Sequence, residues 1–417
     1  MTRRSISAAE RRTQRKLRGL FVLFALGVAT QRLALPLGAQ AQLPVAFLIY
    51  WFAVFWLGLE QVIAPLKTMA LVLGLAFGAV LTCSMLAVGI PQLSSLAYLL
   101  GLYVPFACGA TRAIEPHHMR RAARFFVSMM IAFALLAIMQ FVTQRFLHIP
   151  YVDPLGSLPD SVVLQGYMTS YPIFYGADLY KSNGYLFVEA SLLSQFLGLA
   201  IIIELSLFRR LLPLAVLVAA LATTFSGTGA LLIASVSPVL FMRYWSNPRT
   251  ILLGALAIAV MGTEIATHPE LLSRLGEFGG RDTSASARFV EPYLMMVRES
   301  FGDPASFLFG HGAGAANRLV TSSDSLVNFS AVPKAVIEYG LVGGGALLLA
   351  IVFRIARSGQ PSTVIIALIV MHYFLSGALL QPISVLLLFF FIATGARPIR
   401  SERAVPAASP VLAGSQA

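Results

Sequence analysis

Between Gly279 and Tyr293 the chain reads GGRDTSASARFVEPY, a polar stretch carrying Arg281 and Arg288 in a sequence that is otherwise strongly apolar. The two arginines stand two helical turns apart, so on a helix they project from similar faces. A guanidinium is planar, stays charged at any working pH and grips phosphate oxygens two at a time. The partner it suits is an anion of the phosphate class. The competing reading is a solvated helix face with internal ion pairs, because Arg274, Glu277, Asp282, Glu291, Arg298 and Glu299 alternate in sign around the same stretch. Lys181, Arg318 and Lys334 are further cations of the polar stretches that would complete an anion clamp.

Chemistry at such an anion also needs a group that takes up a proton, and several residues qualify. Glu189 opens an apolar run, where a carboxylate with reduced hydration suits a general base. The same position also lets it act on the dipole of its own helix. His311, in FGHGAG, is of a side-chain type suited to acid–base work and has glycine neighbours that let a ligand approach, although a glycine-flanked histidine is also a common turn residue. Asp324 is a third candidate. Glu338 lies inside an apolar run, where a carboxylate is costly unless paired or facing a wet cavity.

The elements that must position these residues are membrane spans. Hydrophobic residues make up 58% of the 417 residues, charged residues 12%, and mean hydropathy is +0.80. A soluble domain is not built this way. Apolar runs of about 17 to 25 residues cross a bilayer, and about twelve such runs succeed one another. They lie near 19–37, 43–60, 67–88, 91–110, 122–144, 186–207, 211–225, 227–242, 250–266, 335–353, 362–380 and 382–396. The two runs near 211–242 are broken only at TTFSGTG, which fits two short helices or a re-entrant pair. With the basic leader 1–18 placed in the cytoplasm, most of the 30 lysines and arginines fall on that side, as the positive-inside rule requires. The net charge of +12 then records topology, and nucleic acid is not implied as a partner.

The expected fold is an all-α polytopic integral membrane protein: a transmembrane domain over 19–396, both termini cytoplasmic, and a disordered tail over 397–417. Two long polar segments, 145–185 and 267–334, face outward. Their aromatic content (YPIFYGADLY, FVEPYLMMV) predicts loops folded over the outer face, the larger one partly helical. A cleaved signal peptide ending at LGAQAQ would remove the first span and invert this match. Cys83 and Cys108 sit in separate apolar runs, which makes them core residues and neither a disulfide framework nor a metal site.

Four pieces in one order resemble a known family, the bacterial polysaccharide polymerases of the Wzy type and the related O-antigen ligases. KSNGYLFVEASLLSQFLGLA matches their basic, small and glycine residues preceding an acidic residue at a helix start. ATTFSGTGALL matches a span with a hydroxyl and glycine break. ARFVEPY and LFGHGAGAANR match the arginine piece and the Phe-Gly-x-Gly-x-Gly turn of the large loop. NFSAVPKAVIEYGLVGGG matches the glutamate and Gly-Leu-Val-Gly that close it. The likeness covers 180–345 in motifs and the whole chain in topology. Lys181 stands where the family commonly has arginine. The ligases' histidine near the end of the loop is missing from SSDSLVNF, which favours a polymerase over a ligase.

The resemblance implies a glycosyltransferase of GT-C-like architecture in the bacterial inner membrane. It implies glycosyl transfer from an undecaprenyl-diphosphate-linked oligosaccharide at the outer face, with no cofactor and no required metal. Membrane lipid is a further partner, and a chain-length regulator and a flippase are implied as protein partners. In this reading Arg288, with Arg281, Arg318, Lys181 and Lys334, meets the diphosphate, and Glu189, His311 or Asp324 takes the proton. Preorganised cations at a partly dehydrated site stabilise the charge that builds on the leaving phosphate. A ligase shares this donor and differs in its acceptor. A lipid-linked oligosaccharide flippase or another transporter fits the span count equally, but should carry its ionisable residues near the midplane, and this sequence concentrates them in its outer loops.

Three other features are read as structural. HGAGAAN has no strand before it and is not a dinucleotide fingerprint. EPHHMRR is a basic loop meeting anionic headgroups, with no metal-ligand set beside it. Arg32, near the end of the first span, either snorkels to the interface or lines a lipid-phosphate path.

Overall fold

The computed structural model describes residues 8–38, 42–110, 116–173, 177–244, 285–321, 327–375 and 379–395. The expected span at 250–266, the start of the larger loop, Arg281, Asp324 and the tail 397–417 lie outside the described residues.

Helices dominate. In order they are α1 (Ala8–Ala29), α2 (Val45–Leu59), α3 (Lys67–Leu86), α4 (Leu93–Tyr103), α5 (Pro116–Arg145), α6 (Ala190–Ile203), α7 (Leu211–Thr223) and α8 (Gly227–Tyr244). The loop helices α9 (Ser286–Phe289), α10 (Glu291–Ser300), α11 (Pro304–Phe309) and α12 (Ala315–Thr321) come next. The chain then forms α13 (Ala331–Tyr339), α14 (Gly345–Ala356), α15 (Ser362–Val370) and α16 (Pro382–Thr394). Single π-helical segments continue α6 (Glu204–Phe208), join α13 to α14 (Gly340–Gly344) and extend α15 (Met371–Leu375).

Among the described residues, four helical stretches are long and apolar enough to cross a membrane: Lys67–Leu86, Pro116–Arg145, Ala190–Phe208 and Ala331–Ala356. Six more apolar helices are shorter, Val45–Leu59, Leu93–Ala107, Leu211–Thr223, Gly227–Arg243, Ser362–Leu375 and Pro382–Thr394. The about twelve expected spans are therefore met only in part, and several described helices stop short where glycine, proline or paired backbone follows. The first span shows the cause. Its helix ends at Ala29, and β1 (Ala34–Pro36) pairs antiparallel with β2 (Gln42–Pro44) where helix was expected. A second ribbon pairs β3 (Ile63–Pro65) with β4 (Cys108–Ala110), so the fold is helical with two small ribbons and not purely α.

Burial sorts the helices into centre and rim. From Leu192 to Ile203 every residue of α6 is buried, as is all of α16, and a helix apolar on every side belongs inside a bundle. By contrast α3 buries a single stripe, Met69, Leu73, Ala76, Val80, Cys83 and Ser84, and leaves Leu71, Leu75 and Met85 exposed. An outward face that is also apolar is the pattern of a lipid-facing helix. Phe24, Phe126, Phe196, Phe390 and Phe391 interlock α1, α5, α6 and α16 through their rings.

Two sets of contacts mark opposite ends of the bundle. At the basic end Lys16 meets Glu60, Arg210 grips the fully buried Glu204, and Arg354 donates to the carbonyls of Phe106 and Cys108. The other end carries the described residues 146–173 and 177–189 and the loop helices α9 to α12.

Candidate functional site

The mouth of α6 is built by α5. Gln140 and Gln144, one turn apart on the buried side of α5, turn their side-chain carbonyls toward the KSNG segment. Gln140 Oε1 accepts from the backbone N–H groups of Asn183 (3.0 Å) and Gly184 (2.9 Å), and Gln144 Oε1 from Tyr180 (2.9 Å). Asn183 is fully buried, donates to the carbonyls of Thr169 and Phe187, and accepts from the Tyr185 N–H. Tyr185 has φ of 64°, in the left-handed region that disfavours a side chain, so the turn persists only because its surroundings hold it. Arg32 does part of that holding, with Nη1 donating to the Tyr185 carbonyl at 2.8 Å and Nη2 paired with Asp153. Arg32 is 2% exposed. It therefore neither snorkels nor lines an open path; it fastens the end of α1 to the loop.

Glu189 is the residue this scaffold delivers. It occupies the N-cap position of α6 with extended backbone, yet its side chain makes no capping bond. One oxygen, Oε2, instead accepts from Ser191 Oγ at 2.8 Å and from Arg288 Nη2 at 2.6 Å. The ion pair joins residues 99 positions apart. The TTFSGTG break is stitched to the same mouth. Thr228 Oγ1 donates to the Ser191 carbonyl, Ser194 Oγ donates to the Ser226 carbonyl, and the Gly229 N–H donates to Ser194 Oγ. Gly198 and Gly229 face each other so closely that a β-carbon on either would strike backbone. Two short helices, α7 and α8, result from this break.

Beside this mouth, burial, reinforced by the charge of Glu189 and partly offset by the Gln381 side chain, pushes the Tyr167 hydroxyl up to about 12. Gln31, Leu164, Tyr167, Val188 and Gln381 line a narrow crevice there, and Gln31 Oε1 is buried without a hydrogen bond.

Arg288 reaches Glu189 from α9. That short helix is anchored by the Asn328 N–H bonding to the Ala287 carbonyl at 2.8 Å and by Phe289 packing on the core.

The other sequence candidates fall around this pair without forming one cluster. The Lys181 ammonium sits 4.4 Å from the centre of the Tyr171 ring. His311 Nε2 bonds the Glu299 carbonyl at 3.0 Å, and its backbone N–H bonds the Ile337 carbonyl. The glycine turn that carries it packs on the break after α13, where Gly310 and Gly340 touch at positive φ and a β-carbon on either would collide with backbone. On α12, Arg318 is exposed and lies beside Gly89. Lys334 is 3% exposed, with Nζ 2.9 Å from Glu338 Oε1 and 3.2 Å from Asn317 Oδ1. That ion pair is close but poorly aligned, since neither Glu338 oxygen accepts a hydrogen bond of ordinary geometry. A ligand reaches Lys334 only if this pair opens.

Gln140, Gln144, Asn183, Tyr167 and Asp153 do not stand out in the sequence as site residues. A signal exists for the glutamines, which stand four apart in an otherwise apolar run and so lie on one face. Among the described residues no group of three or more His, Cys, Asp or Glu side chains is arranged to hold a metal ion.

No curated protein and no solved structure matches the chain. The WcaD colanic acid polymerase family matches residues 20–396, from the first helix through the last and across both halves of the site. The chain belongs to the WcaD colanic acid polymerase family, which makes it a polysaccharide polymerase, an enzyme of the glycosyltransferase type acting on a lipid-linked oligosaccharide.

Proposed function

We propose that the protein joins undecaprenyl-diphosphate-linked repeat units at the outer face of the bacterial inner membrane, with Arg288 and Glu189 as the reacting pair. The contact between Arg288 and Glu189 carries this reading, because it sets a guanidinium of the loop against a carboxylate at the mouth of the central helix. In the resting arrangement each charge satisfies the other. A diphosphate competes with Glu189 for the guanidinium, and a carboxylate that shares its cation is freed to accept a proton. The bond from the anomeric carbon to the phosphate oxygen then breaks, and its electrons settle on the diphosphate facing Arg288. The acceptor hydroxyl forms the new glycosidic bond, and its proton passes to Glu189. Arg318 and Lys181 border the path as further phosphate contacts, and Arg281 extends the clamp from outside the described residues. His311, held to Glu299, and Asp324 are alternative proton acceptors. No metal enters this scheme.

The test uses purified protein in detergent, given undecaprenyl-diphosphate-linked repeat unit. A ladder of lengthened lipid-linked chains supports the proposal. No ladder from folded protein, with transfer to lipid A core in its place, makes the enzyme a ligase. Loss of both products removes the transfer reaction.

A further inference from the structure

The loop helix α10 has two apolar sides. Its inner side sets Met295 against Ala316, Phe329 and Ile337 in a small core, and α10 packs on α13. Its outer side carries Leu294 and Val297, and Phe301 at its C-cap continues them, at 57%, 52% and 58% exposure, spaced three and four residues apart along one stripe. A loop helix bathed in water has no reason to keep an outer apolar stripe, and contiguous apolar surface of this kind marks an interaction site.

The neighbours of the stripe indicate its cover. Phe301 meets Phe307 of α11 with ring centres 5.0 Å apart, Leu308 of α11 is exposed, and α11 packs on α3. The turn after α3 is sewn to the same loop, as the Val88 N–H bonds the Gly310 carbonyl and the Gln92 N–H bonds the Ala313 carbonyl. That turn and the end of α3 expose Met85, Val88, Ile90 and Leu93, Ile90 at 85%. Since α3 is long and apolar enough to span a bilayer, its outward side faces acyl chains, and the apolar surface of α10 and α11 continues from it. Arg298, exposed within the stripe and paired with Glu299, is suited to reach headgroup phosphate.

We infer that α10 lies in the membrane interface, with Leu294, Val297 and Phe301 among the acyl chains of the leaflet at the loop end of the bundle. An amphipathic helix embedded in this way fixes the depth of the segments joined to it. On its N-terminal side that segment is α9, so α10 sets the height of Arg288 above the hydrocarbon. The inference stands whether or not Arg288 is catalytic.

The test is quenching in vesicles. The three native tryptophans, Trp51, Trp56 and Trp245, are replaced by phenylalanine, and one tryptophan is placed at Leu294, Val297, Leu75 in the middle of α3, or the exposed loop residue Ser157. Each protein is reconstituted in phosphatidylcholine whose acyl chains carry bromine either near the headgroup or deep in the tail. L294W and V297W should lose fluorescence mainly to the shallow bromine, L75W mainly to the deep bromine, and S157W to neither. If L294W and V297W match S157W, the stripe is covered by something other than lipid and the inference fails.

Discussion

Two ion pairs at the loop end of the bundle use the same charges and do opposite things. Arg288 and Glu189 meet across 99 residues, with side chains 21% and 19% exposed. Lys334 and Glu338 meet within one turn of α13, at 4% and 0%. The buried pair lost most of its hydration on folding, and its attraction returns little beyond that loss, so neither partner can be removed alone. The half-exposed pair has water at hand for either partner and can exchange one anion for another. Burial, more than charge, therefore separates the two cations at this end of the molecule, and under the proposed function it is Arg288 that meets the diphosphate.

The contrast breaks most visibly if one half of the buried pair is deleted. Glu338→Ala leaves Lys334 charged and enclosed, and should destabilise the protein by about 3–5 kcal/mol, read as a lower unfolding temperature in detergent. The double variant Lys334→Met, Glu338→Leu should recover most of that loss, because a well-packed apolar pair replaces a buried ionic one at little cost. A double variant as unstable as the single one would mean that the pair has a role beyond neutralising itself.

At the partly buried pair the balance between stability and activity should reverse. Arg288→Ala should lower the unfolding temperature less than Glu338→Ala does, since Glu189 keeps some contact with water when its partner is removed. Polymer formation should fall by about 10²–10³, the usual cost of removing one preorganised donor from developing charge. Arg288→Lys should recover only part of the rate, because an ammonium keeps the charge and loses the planar fork. Full activity in Arg288→Ala would remove this pair from the reaction.

Gln140 sharpens the comparison from outside both pairs. Its alanine variant strips two buried N–H groups, those of Asn183 and Gly184, of their acceptor, and should cost about 1–3 kcal/mol. Since the KSNG turn delivers Glu189, polymerisation should fall as well, with Arg288 still present. A variant that loses stability but keeps its full rate would show that Glu189 does not depend on the turn for its position.

Legibility in the sequence divides along the same line. Helix segmentation is a local, periodic signal, and the described helices outside the large loop fall on the apolar runs, with α1 starting earlier, in the basic leader, and other ends shifted at the first ribbon, the SGTG break and Gly340. The glycines of FGHGAG are legible as a tight turn, and Gly310, Gly312 and Gly314 all take positive φ. Arg288 and Glu189 each stand out by residue type. Their meeting does not, because a contact between residues 99 apart leaves no mark on either neighbourhood. Lys334 reads as a loop cation for the converse reason: its partner is one turn away, but its burial depends on Asn317 and α12. Arg32 is legible as an anomaly in an apolar run and illegible as a tie, since Asp153 and the Tyr185 carbonyl come from the far loop.

That tie gives the smallest effect and a sign that can be worked out. Burial acts to raise the Asp153 carboxyl, but the hydrogen bond and charge of Arg32, with bonds from the Leu155 N–H and the Thr169 hydroxyl, outweigh it and hold the group below its ordinary value. A carboxylate whose pKa is lowered on folding adds stability above its unfolded value, about 3.9, and that stability is lost as pH falls through the folded value. Unfolding temperature should therefore dip below about pH 4, and Asp153→Asn should flatten that dip while leaving a slightly lower plateau at neutral pH. If Asp153→Asn keeps the full dip, the acid sensitivity lies elsewhere, and Arg32 holds the loop through the Tyr185 carbonyl alone.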